Sequence, residues 1–261
     1  MKANRLIAML IRNWYGTIRS YDRLTDSFYW ITLDLVLWGI TGGYVQGFAP
    51  DSVNIFFMIT ASVILWNVTF RGQNDIGIGL LDELWNKNLI NLFATPLMVT
   101  EWIASLLILS SIKAVITVAF GTIVAMIFYQ LNIFELSFYL VPFFLLLLMS
   151  GWWIGFLICG LILRYTTKVQ ALAWTFVWVL APLSAIYFPV SSLPTWAQLV
   201  SKCVPMSYVF EEMRGVIVHD QVNNQNLVRA FALNIIYLTL SAQYLRLSFN
   251  KVLERGLIKV Y

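Results

Sequence analysis

The sequence predicts an all-α integral membrane protein with six transmembrane helices. Apolar residue types make up 60% of the 261 residues and charged types only 11%, whereas a soluble domain carries roughly 25% charged residues. Six runs of the chain are apolar and long enough to cross a hydrocarbon core of about 30 Å. Lysine and arginine are concentrated in the segments that would share one side of the bilayer. These three observations favour a membrane-spanning fold over a soluble one.

The six apolar runs define a predicted transmembrane domain over residues 28–247. The fourth and fifth runs contain no charged residue, and the second run is the shortest. The runs are Phe28–Phe48, Val53–Phe70, Trp102–Tyr129, Phe138–Leu163, Val169–Phe188 and Leu227–Leu247. Because the number of spans is even, both termini should lie on the same side of the membrane.

The distribution of positive charge predicts which side that is. Thirteen of the 17 lysine and arginine residues fall on the side of the termini, three fall on the opposite side, and Lys113 lies inside a span. Positive charge is enriched in the cytosolic connections of membrane proteins. Both termini, including the tail 248–261, are therefore predicted to be cytosolic, in a multi-pass protein of the plasma membrane or bacterial inner membrane. The basic charge then faces anionic lipid, and nucleic acid is not a predicted partner.

Residues 1–27 have the pattern of an amphipathic helix that lies on the cytosolic surface of the membrane. Apolar side chains including Trp14 recur at helical spacing, and Arg5, Arg12 and Arg19 recur at every seventh residue. Cations directed at headgroups and an apolar face directed at acyl chains are typical of an interfacial helix. A helix that only anchors the topology would show the same pattern.

A second amphipathic helix is predicted at about residues 79–94, in the loop after the second span. Its apolar residues follow i, i+3, i+4 spacing on one face, and Thr95-Pro96 ends it. The apolar stripe includes Leu84, Trp85 and Leu89, and the polar face includes Asp82, Glu83, Asn86 and Lys87. Such a helix can rest on the bundle and present polar groups to a soluble partner. A solvated loop helix is the alternative.

Residues 189–218 separate the fifth and sixth spans and are divided by prolines. Proline is tolerated in a first helical turn and disfavoured in a helix interior, so the pattern predicts two short helices, Thr195–Cys203 and Met206–Val218. Both are too short to span the bilayer and too apolar for a free loop, which predicts a re-entrant pair in the outer leaflet. Glu211 and Arg214 are three residues apart and can form an ion pair, either as a structural clamp or as a gate.

Two charged residues and several aromatic residues lie inside the predicted spans. Asp34 and Lys113 are expected to face the protein interior or a wet cavity, and an ion pair between them is one hypothesis. The alternative for Asp34 is contact with cytosolic water, because it stands only six residues past the start of its run, about 9 Å along a helix. The aromatic candidates for lining a translocation path are Trp38, Tyr44, Trp174 and Trp178. Packing against lipid or in an interfacial belt is the alternative for all four.

Two glycine pairs match the small-xxx-small spacing that lets helices approach closely. They are Gly43–Gly47 in the first predicted span and Gly151–Gly155 in the fourth. The signal is weak, because two such matches are unremarkable among six apolar spans.

No constellation of residues in the sequence predicts catalysis or a metal site. The chain has a single histidine and two cysteines at different predicted depths, and it has no GxxxxGK[ST] phosphate loop. Neither a nucleophile with its base nor a metal-ligand cluster can be assembled from these residues. The chain is therefore predicted to be neither an enzyme nor a holder of a cofactor.

The order of these segments resembles the membrane subunit of an ABC-2 type exporter. The resemblance covers nearly the whole chain and is most specific just before the sixth span. The motifs there are Phe188-Pro189, Leu193-Pro194-Thr195-Trp196, Pro205-Met206-Ser207-Tyr208 and Glu211-Glu212-Met213-Arg214. Thr95-Pro96-Leu97 and Glu101 form a weaker second match.

The resemblance implies a role for each segment. The Gly79–Phe93 helix would be the coupling helix that docks on a separate ATPase subunit, and the N-terminal helix would be the interface helix beside it. The paired outer helices would cap the translocation path as a gate or clamp. The residues concerned are Pro194, Trp196, Pro205, Tyr208, Glu211 and Arg214.

The resemblance also implies the partners and the cargo. A second copy of the chain or a homologous permease would complete the path, and the ATPase subunits would use ATP and Mg²⁺. The substrate would be an amphipathic molecule, such as a lipid-linked glycan or polysaccharide or a drug. An ion-coupled carrier or a channel without an ATPase is the alternative function.

Overall fold

The computed structural model describes residues 2–48 and 54–255, and every element in those ranges is helical. The start of the second predicted span at Val53 and the last six residues of the predicted tail lie outside the described residues. The α-helices are α1 (Ala3–Ile18), α2 (Tyr21–Gln46), α3 (Ile55–Trp85), α4 (Leu89–Ala94), α5 (Val99–Tyr129), α6 (Leu140–Tyr165), α7 (Leu172–Leu180), α8 (Thr195–Ser201), α9 (Pro205–His219) and α10 (Asn224–Arg255). Short 3₁₀ segments connect them at Ile133–Tyr139, Thr166–Val169, Ala181–Leu183 and Val190–Ser192.

Three helical segments in the described residues are long and apolar enough to cross a membrane. They are Ile55–Trp85, Val99–Tyr129 and Ile133–Tyr165. Helices α3 and α5 contain 31 residues each, which is about 46 Å at 1.5 Å per residue. Both therefore exceed a hydrocarbon core of about 30 Å. Helices α2 and α10, with 26 and 32 residues, have the length to cross but a more polar composition, so their role as spans stays a prediction.

The fifth predicted span, Val169–Phe188, is wrong as a single continuous helix. It contains the nine-residue α7, the 3₁₀ turn Ala181–Leu183 and an irregular stretch to its end. Pro182 removes a backbone donor, and Ala185 adopts the left-handed conformation with φ of 57°, so the helix cannot continue. The helical part covers about 20 Å, which is less than the thickness of a hydrocarbon core.

Helix α3 forms the centre of the bundle. Residues 60–74 are all buried, and α3 packs against α2, α5 and α6. Its polar side chains bond to neighbouring helices: Thr69 Oγ1 donates to the Leu147 carbonyl at 3.1 Å, and Gln73 Nε2 donates to the Ala173 carbonyl. A helix buried all round needs such partners, because an unpaired polar group inside the protein is costly.

A glycine contact brings α3 and α6 close together. A Cβ atom added to Gly151 would lie 2.6 Å from the Thr69 carbonyl oxygen and 2.8 Å from the Gly72 Cα. The Gly151–Gly155 spacing therefore marks a real close approach between helices. The other match differs, because a Cβ atom at Gly43 would meet nothing within 4 Å.

The predicted separate amphipathic helix at 79–94 is wrong. Helix α3 continues through the first half of this segment, and α4 follows after a turn. The turn is a Schellman motif, in which the Lys87 amide donates to the Leu84 carbonyl at 3.0 Å and the Asn88 amide donates to the Glu83 carbonyl at 2.8 Å. Lys87 takes the left-handed position, with φ of 52°. Glycine is the residue that usually occupies this position, so a lysine there does not signal the end of a helix.

The predicted N-terminal helix over residues 1–27 is also divided. Helix α1 ends at Ile18, and residues 21–27 form the first turns of α2. Neither proline nor glycine stands at the junction, Arg19–Ser20, so the sequence does not mark it. The change of direction lets α1 pack on α5 while α2 packs on α3.

The two short helices before α10 lie close to their predicted positions. Helices α8 and α9 begin and end within two residues of the predicted Thr195–Cys203 and Met206–Val218. Pro205 stands in the first turn of α9, where its missing N–H costs nothing. We call α8 and α9 the clamp helices; their depth in a membrane stays a prediction.

The glycine contact between α3 and α6 predicts opposite effects for two matched substitutions. Gly151→Ala should lower the free energy of unfolding by about 1–3 kcal/mol, because its Cβ has no room against the α3 backbone. Gly43→Ala should be neutral or stabilising, because the site is open and alanine favours helix by up to about 1 kcal/mol. Thermal unfolding of the purified variants measures both. Equal midpoints for the two variants would contradict the close approach.

Candidate functional site

A cavity of about 580 Å³ opens between α1, α2, α3 and α5. Its volume falls in the range of small-molecule sites in proteins. Eight of the twenty residues that line it are charged, and Trp85 and Trp174 also belong to its wall. The carboxylates are Asp22, Asp26, Asp75, Asp82 and Glu83, and the cations are Arg12, Arg23 and Lys113. We call it the charged cavity.

Two ion pairs join α1 and α2 to the last turns of α3. Arg12 Nη1 lies 2.6 Å from Glu83 Oε1, and Arg23 Nη2 lies 2.5 Å from Asp82 Oδ2. Asn88 Nδ2 also donates to Glu83, at 2.7 Å. The prediction that Asp82 and Glu83 face solvent is therefore wrong. They face neighbouring helices because a carboxylate removed from water needs a positive partner.

The exposed part of the predicted coupling segment is the turn after α3. Leu84 and Leu89 are buried, as the apolar stripe predicts. Asn86 and Lys87 are exposed, and Trp85 is half exposed although it was placed on the apolar stripe. The surface available to a partner is therefore a short turn, which we call the exposed turn (residues 85–88), and not one face of a long helix.

Trp85 is fixed by two contacts with the segment around α7. Its Nε1 donates to Gln170 Oε1 at 3.2 Å, and its ring stacks on Trp174 with centroids 6.1 Å apart. Trp174 was a candidate for lining a translocation path, and the structure places it in the wall of the charged cavity. The stacked pair therefore links the exposed turn to α7.

Glu101 fixes the beginning of α1 against the beginning of α5. It is fully buried and accepts hydrogen bonds from the Lys2 amide at 2.7 Å and the Met98 amide at 3.1 Å. Arg5 Nη1 lies 3.9 Å from its Oε2 and donates to the Pro96 carbonyl. The sequence offered Glu101 only as part of a weak motif match, because its partners are distant in the chain.

Two of the three arginines predicted to face lipid headgroups have partners within the chain. Arg5 is partly buried beside Glu101, and Arg12 is exposed but paired with Glu83. Arg19 is exposed, with its guanidinium 5.4 Å from the Tyr15 ring centroid. Trp14 is half-buried. The exposed apolar stripe of α1 consists of Ile7, Ile11, Tyr15 and Ile18. A stripe of this kind is what an interfacial helix presents to acyl chains.

The predicted ion pair between Asp34 and Lys113 is wrong. Lys113 Nζ lies 2.8 Å from Asp75 Oδ1, and both side chains are almost fully buried. Asp34 lies beside Asn67 instead. Asn67 and Asp75 are eight residues apart on α3, which is about 12 Å along the helix. The two predicted partners therefore stand at different levels of the bundle.

Arg71 is a buried charge that the sequence analysis missed. Its side chain is 1% exposed and lies 2.8 Å from Asp26 Oδ2, and it also donates to the Asp26 carbonyl at 2.7 Å. It stands immediately after the second predicted span, so the hydropathy pattern assigned it to a loop. The continuation of α3 places it inside the bundle.

The other aromatic candidates do not form one surface. Trp38 stacks on Tyr187 with centroids 4.1 Å apart, which joins α2 to the segment after α7. Trp178 packs beside Trp66, at 6.2 Å between centroids. Tyr44 is largely exposed. Each of these rings has a separate environment within this chain.

The clamp helices hold the irregular segment that follows α7. Glu211 and Arg214 form the predicted ion pair, at 3.2 Å. Arg214 also donates to the carbonyl oxygens of Ala185 and Ile186, and Glu211 Oε1 accepts from the Val190 amide at 2.7 Å. These bonds satisfy backbone groups that have no helical partner, so the contacts within this chain favour the clamp role over the gate.

The remaining residues of the predicted outer motif have local roles. Pro194 caps α8, Pro205 is buried at the start of α9, and Tyr208 Oη donates to the Lys202 carbonyl at 2.9 Å. Trp196 is exposed. The motif thus shapes the turns at both ends of α8 and leaves one indole ring on the surface.

Glu212 is a further buried carboxylate that sequence reasoning did not single out. It accepts from the Asn223 amide at 2.6 Å and from Asn226 Nδ2 at 2.6 Å. Because both donors precede or begin α10, this carboxylate ties the end of α9 to the next helix. The neighbouring Glu211 accepts from the Val190 amide instead. The two adjacent carboxylates therefore connect α9 to the irregular segment after α7 and to the start of α10.

Comparison of the sequence with protein-family models and with curated proteins finds no match. In the part of the chain that the structure describes, no group of three or more His, Cys, Asp or Glu side chains is arranged to hold a metal ion.

The Asp75–Lys113 pair predicts a specific pattern of non-additive stability. Lys113→Met alone should lower the free energy of unfolding by about 3–5 kcal/mol, because it leaves a buried carboxylate unpaired, whereas Lys113→Met with Asp75→Leu should be much milder. Unfolding of the single and double variants in denaturant measures the difference. The matched control is Lys113→Met with Asp34→Asn, whose effects should add. Rescue by the Asp34 substitution instead would contradict the observed pairing.

The bonds of Arg214 to the irregular segment predict local unfolding when they are lost. Arg214→Gln should destabilise the protein by about 1.5–3 kcal/mol, the range for hydrogen bonds to charged groups, and should speed proteolysis between residues 184 and 190. Arg229→Gln removes an exposed guanidinium with one contact, to Asn226 at 3.1 Å, and should change neither. Identical cleavage of both variants would show that Arg214 does not hold the segment.

Proposed function

We propose that this chain is the membrane-spanning permease subunit of an ATP-driven exporter of the ABC-2 type. In this proposal α2, α3, α5, α6 and α10 cross the plasma membrane or bacterial inner membrane as helices. Residues 169–188 cross it as a broken segment, in which α7 is followed by the irregular stretch that the clamp helices hold. Both termini lie in the cytosol. A separate ATPase subunit binds and hydrolyses ATP with Mg²⁺. The chain itself supplies the path and the surface on which that subunit acts.

The observation that carries the proposal is a rigid connection from the exposed turn into the bundle. The exposed turn follows directly on the C-terminal end of α3. Arg12 and Arg23 hold that end through their ion pairs with Glu83 and Asp82. An ATPase can drive a conformational change only through contacts that differ between two states, and those contacts need a stiff element behind them. A 31-residue buried helix is such an element.

Helix α1 takes the place of an interface helix in this proposal. Its exposed apolar stripe suits a position at the membrane surface. Glu101 and Glu83 fix it at two points, through Lys2 and Arg12. Movement of the α3 end would therefore be shared by α1 instead of being lost at a flexible junction.

The path in this proposal lies between two permeases, formed with a second copy of the chain or a homologous one. The clamp helices cover its outer end, and the exposed Trp196 and Tyr44 are available to the neighbouring permease or to the cargo. Aromatic surfaces suit an amphipathic substrate, such as a lipid-linked glycan or polysaccharide or a drug-like molecule. The direction of transport is out of the cytosol.

An ion-coupled carrier is the second candidate, and one specific observation favours it. Lys113 and Asp75 form an ion pair with both side chains buried, and the buried Arg71 pairs with the partly exposed Asp26. Carriers use buried charges as relays. Such a carrier needs no nucleotide. Dependence of transport on ATP or on an ion gradient therefore distinguishes the two candidates.

The exposed turn predicts that substitutions there uncouple the ATPase without unfolding the permease. Lys87→Glu and Trp85→Asp should reduce ATP hydrolysis in the complex purified from native membranes by tenfold or more, because they change the docking surface. Phosphate release measures this loss, and peptide identification shows whether a companion with a phosphate loop remains bound. Circular dichroism should show unchanged helix content.

Lys202→Glu is the matched control for Lys87→Glu. Lys202 is equally exposed but belongs to the clamp helices, which the proposal places on the outer side. This variant should retain full ATP hydrolysis and partner binding. A wild-type complex that moves cargo with no nucleotide-hydrolysing companion, or full coupling in both turn variants, would refute the proposal.

A further inference from the structure

Asp34 is a carboxylate inside α2 that has no counter-charge among the described residues. We propose that Asp34 and the stacked rings of Trp38 and Tyr187 form a binding site for an amphipathic organic cation, a molecule that carries a positive charge on an apolar body. The binding site itself does not depend on the exporter proposal. The step from bound ligand to exported cargo rests on the proposed function.

The first argument is the missing counter-charge. Asp34 forms no ion pair within residues 2–48 and 54–255, and its polar neighbour is the neutral side-chain amide of Asn67 on α3. Four other carboxylates of α2 and α3 have cationic partners: Asp26, Asp75, Asp82 and Glu83. A charged side chain inside a membrane is normally paired or faces a wet cavity. A cation from outside the chain is therefore expected at Asp34.

The second argument is the depth of this carboxylate. Its neighbour Asn67 stands 12 residues after the start of α3 and 18 residues before its end, which is about 18 Å and about 27 Å along the helix. Asp34 is therefore remote from both ends of α3, and in the proposed topology it lies within the hydrocarbon layer. A charge removed from water is costly unless it is paired, so this depth strengthens the case for a bound cation.

The third argument is that a ligand can reach the site. Asp34, Trp38 and Tyr187 are each partly exposed, and they lie where α2, α3 and the irregular segment after α7 meet. Tyr187 belongs to the segment that Arg214 and Glu211 of the clamp helices hold in place. A small molecule can therefore approach this edge of the bundle without opening its core.

The fourth argument is the aromatic pair beside the carboxylate. Asp34 and Trp38 are four residues apart on α2, so they share one face of the helix. Trp38 stacks on Tyr187 with ring centroids 4.1 Å apart, and the charge of Asp34 acts on the Tyr187 side chain. Aromatic rings attract cations and pack against apolar groups. The carboxylate and the two rings thus form one surface that is both acidic and aromatic.

This surface favours an organic cation over a metal ion or a neutral glycan. Metal ions such as Ca²⁺ take several oxygen ligands, and no three His, Cys, Asp or Glu side chains of the described chain are grouped to hold one. A neutral glycan could stack on the rings, but it would leave the charge of Asp34 uncompensated. An amphipathic organic cation satisfies both the carboxylate and the rings.

The test measures binding to the intact chain in lipid discs of phosphatidylcholine, whose headgroups carry no net charge. The probe is tetraphenylphosphonium, a cation on an apolar body. Equilibrium dialysis, corrected with protein-free discs, should show saturable binding. Tetraphenylborate, which has the same shape and the opposite charge, should bind at least tenfold more weakly. Absence of saturable tetraphenylphosphonium binding, the result for a protonated Asp34, or equal binding of tetraphenylborate would overturn the proposal.

Variants assign the binding to the carboxylate and the rings. Asp34→Asn should weaken tetraphenylphosphonium binding about tenfold or more, because a neutral amide offers no counter-charge, whereas Asp34→Glu should retain the affinity within about threefold. Trp38→Leu should weaken binding about threefold, through the loss of one ring. Glu135→Gln removes an exposed carboxylate outside α2 and should change nothing. If Trp38→Leu does not fold, the Asp34 variants decide, and equal affinity of Asp34→Asn and wild type would overturn the proposal.

The outcome separates the binding site from the exporter proposal, because the assay contains no ATPase. If Asp34→Asn keeps full probe binding while Lys87→Glu uncouples ATP hydrolysis, the cation site is refuted and the exporter proposal stands. Saturable binding that depends on Asp34, together with full coupling in both exposed-turn variants, would support the site and refute the exporter.

Discussion

The charges carried by the buried helix α3 are the constraint on which the rest of the structure depends. Arg71, Asp75, Asp82 and Glu83 leave water when the bundle forms, and an uncompensated buried charge costs several kcal/mol. Each is satisfied by a different residue of another helix, so the pairing specifies which neighbours α3 must have and in which register. The partners are Asp26, Lys113, Arg23 and Arg12. Three helices, α1, α2 and α5, are thereby fixed to one axis.

Charged side chains also need partners at the irregular stretch after α7 and at the start of α1. There the partners include backbone amide and carbonyl groups. Arg214 and Glu211 form hydrogen bonds with backbone groups of the irregular stretch after α7. Glu101 accepts a hydrogen bond from the backbone amide of Lys2, just before α1. Between these points α3 and α6 approach closely at Gly151, and Thr69 donates to the Leu147 carbonyl beside this contact. The ion pairs join α3 to α1, α2 and α5 near the exposed turn. Displacement of the exposed turn would therefore reach α1, α2 and α5 together.

The sequence was informative where a local signal decides the structure. Prolines placed the clamp helices within two residues, and apolar length identified the three long helices that could cross a membrane. The sequence was not informative where contacts between distant parts of the chain determine the structure. Lys87 ends α3 in a position usually held by glycine, and the partners of Lys113 and Arg71 come from distant parts of the chain. Pro182 marks the break in the fifth predicted span, because proline interrupts a helix. The apolar run continues past Pro182, and its length alone predicted one continuous helix. The charged cavity had no sequence signal, because its wall combines five separate helices.

The central claim is that the exposed turn lies in the cytosol, on the opposite side of the membrane from the clamp helices. Cysteine accessibility in cells tests it most directly. In a background with Cys159 and Cys203 replaced by alanine, Lys202→Cys and Lys87→Cys are treated with a membrane-impermeant thiol reagent. The account predicts that Lys202→Cys is labelled in intact cells and that Lys87→Cys is labelled only after permeabilisation. Labelling of Lys87→Cys in intact cells would contradict it.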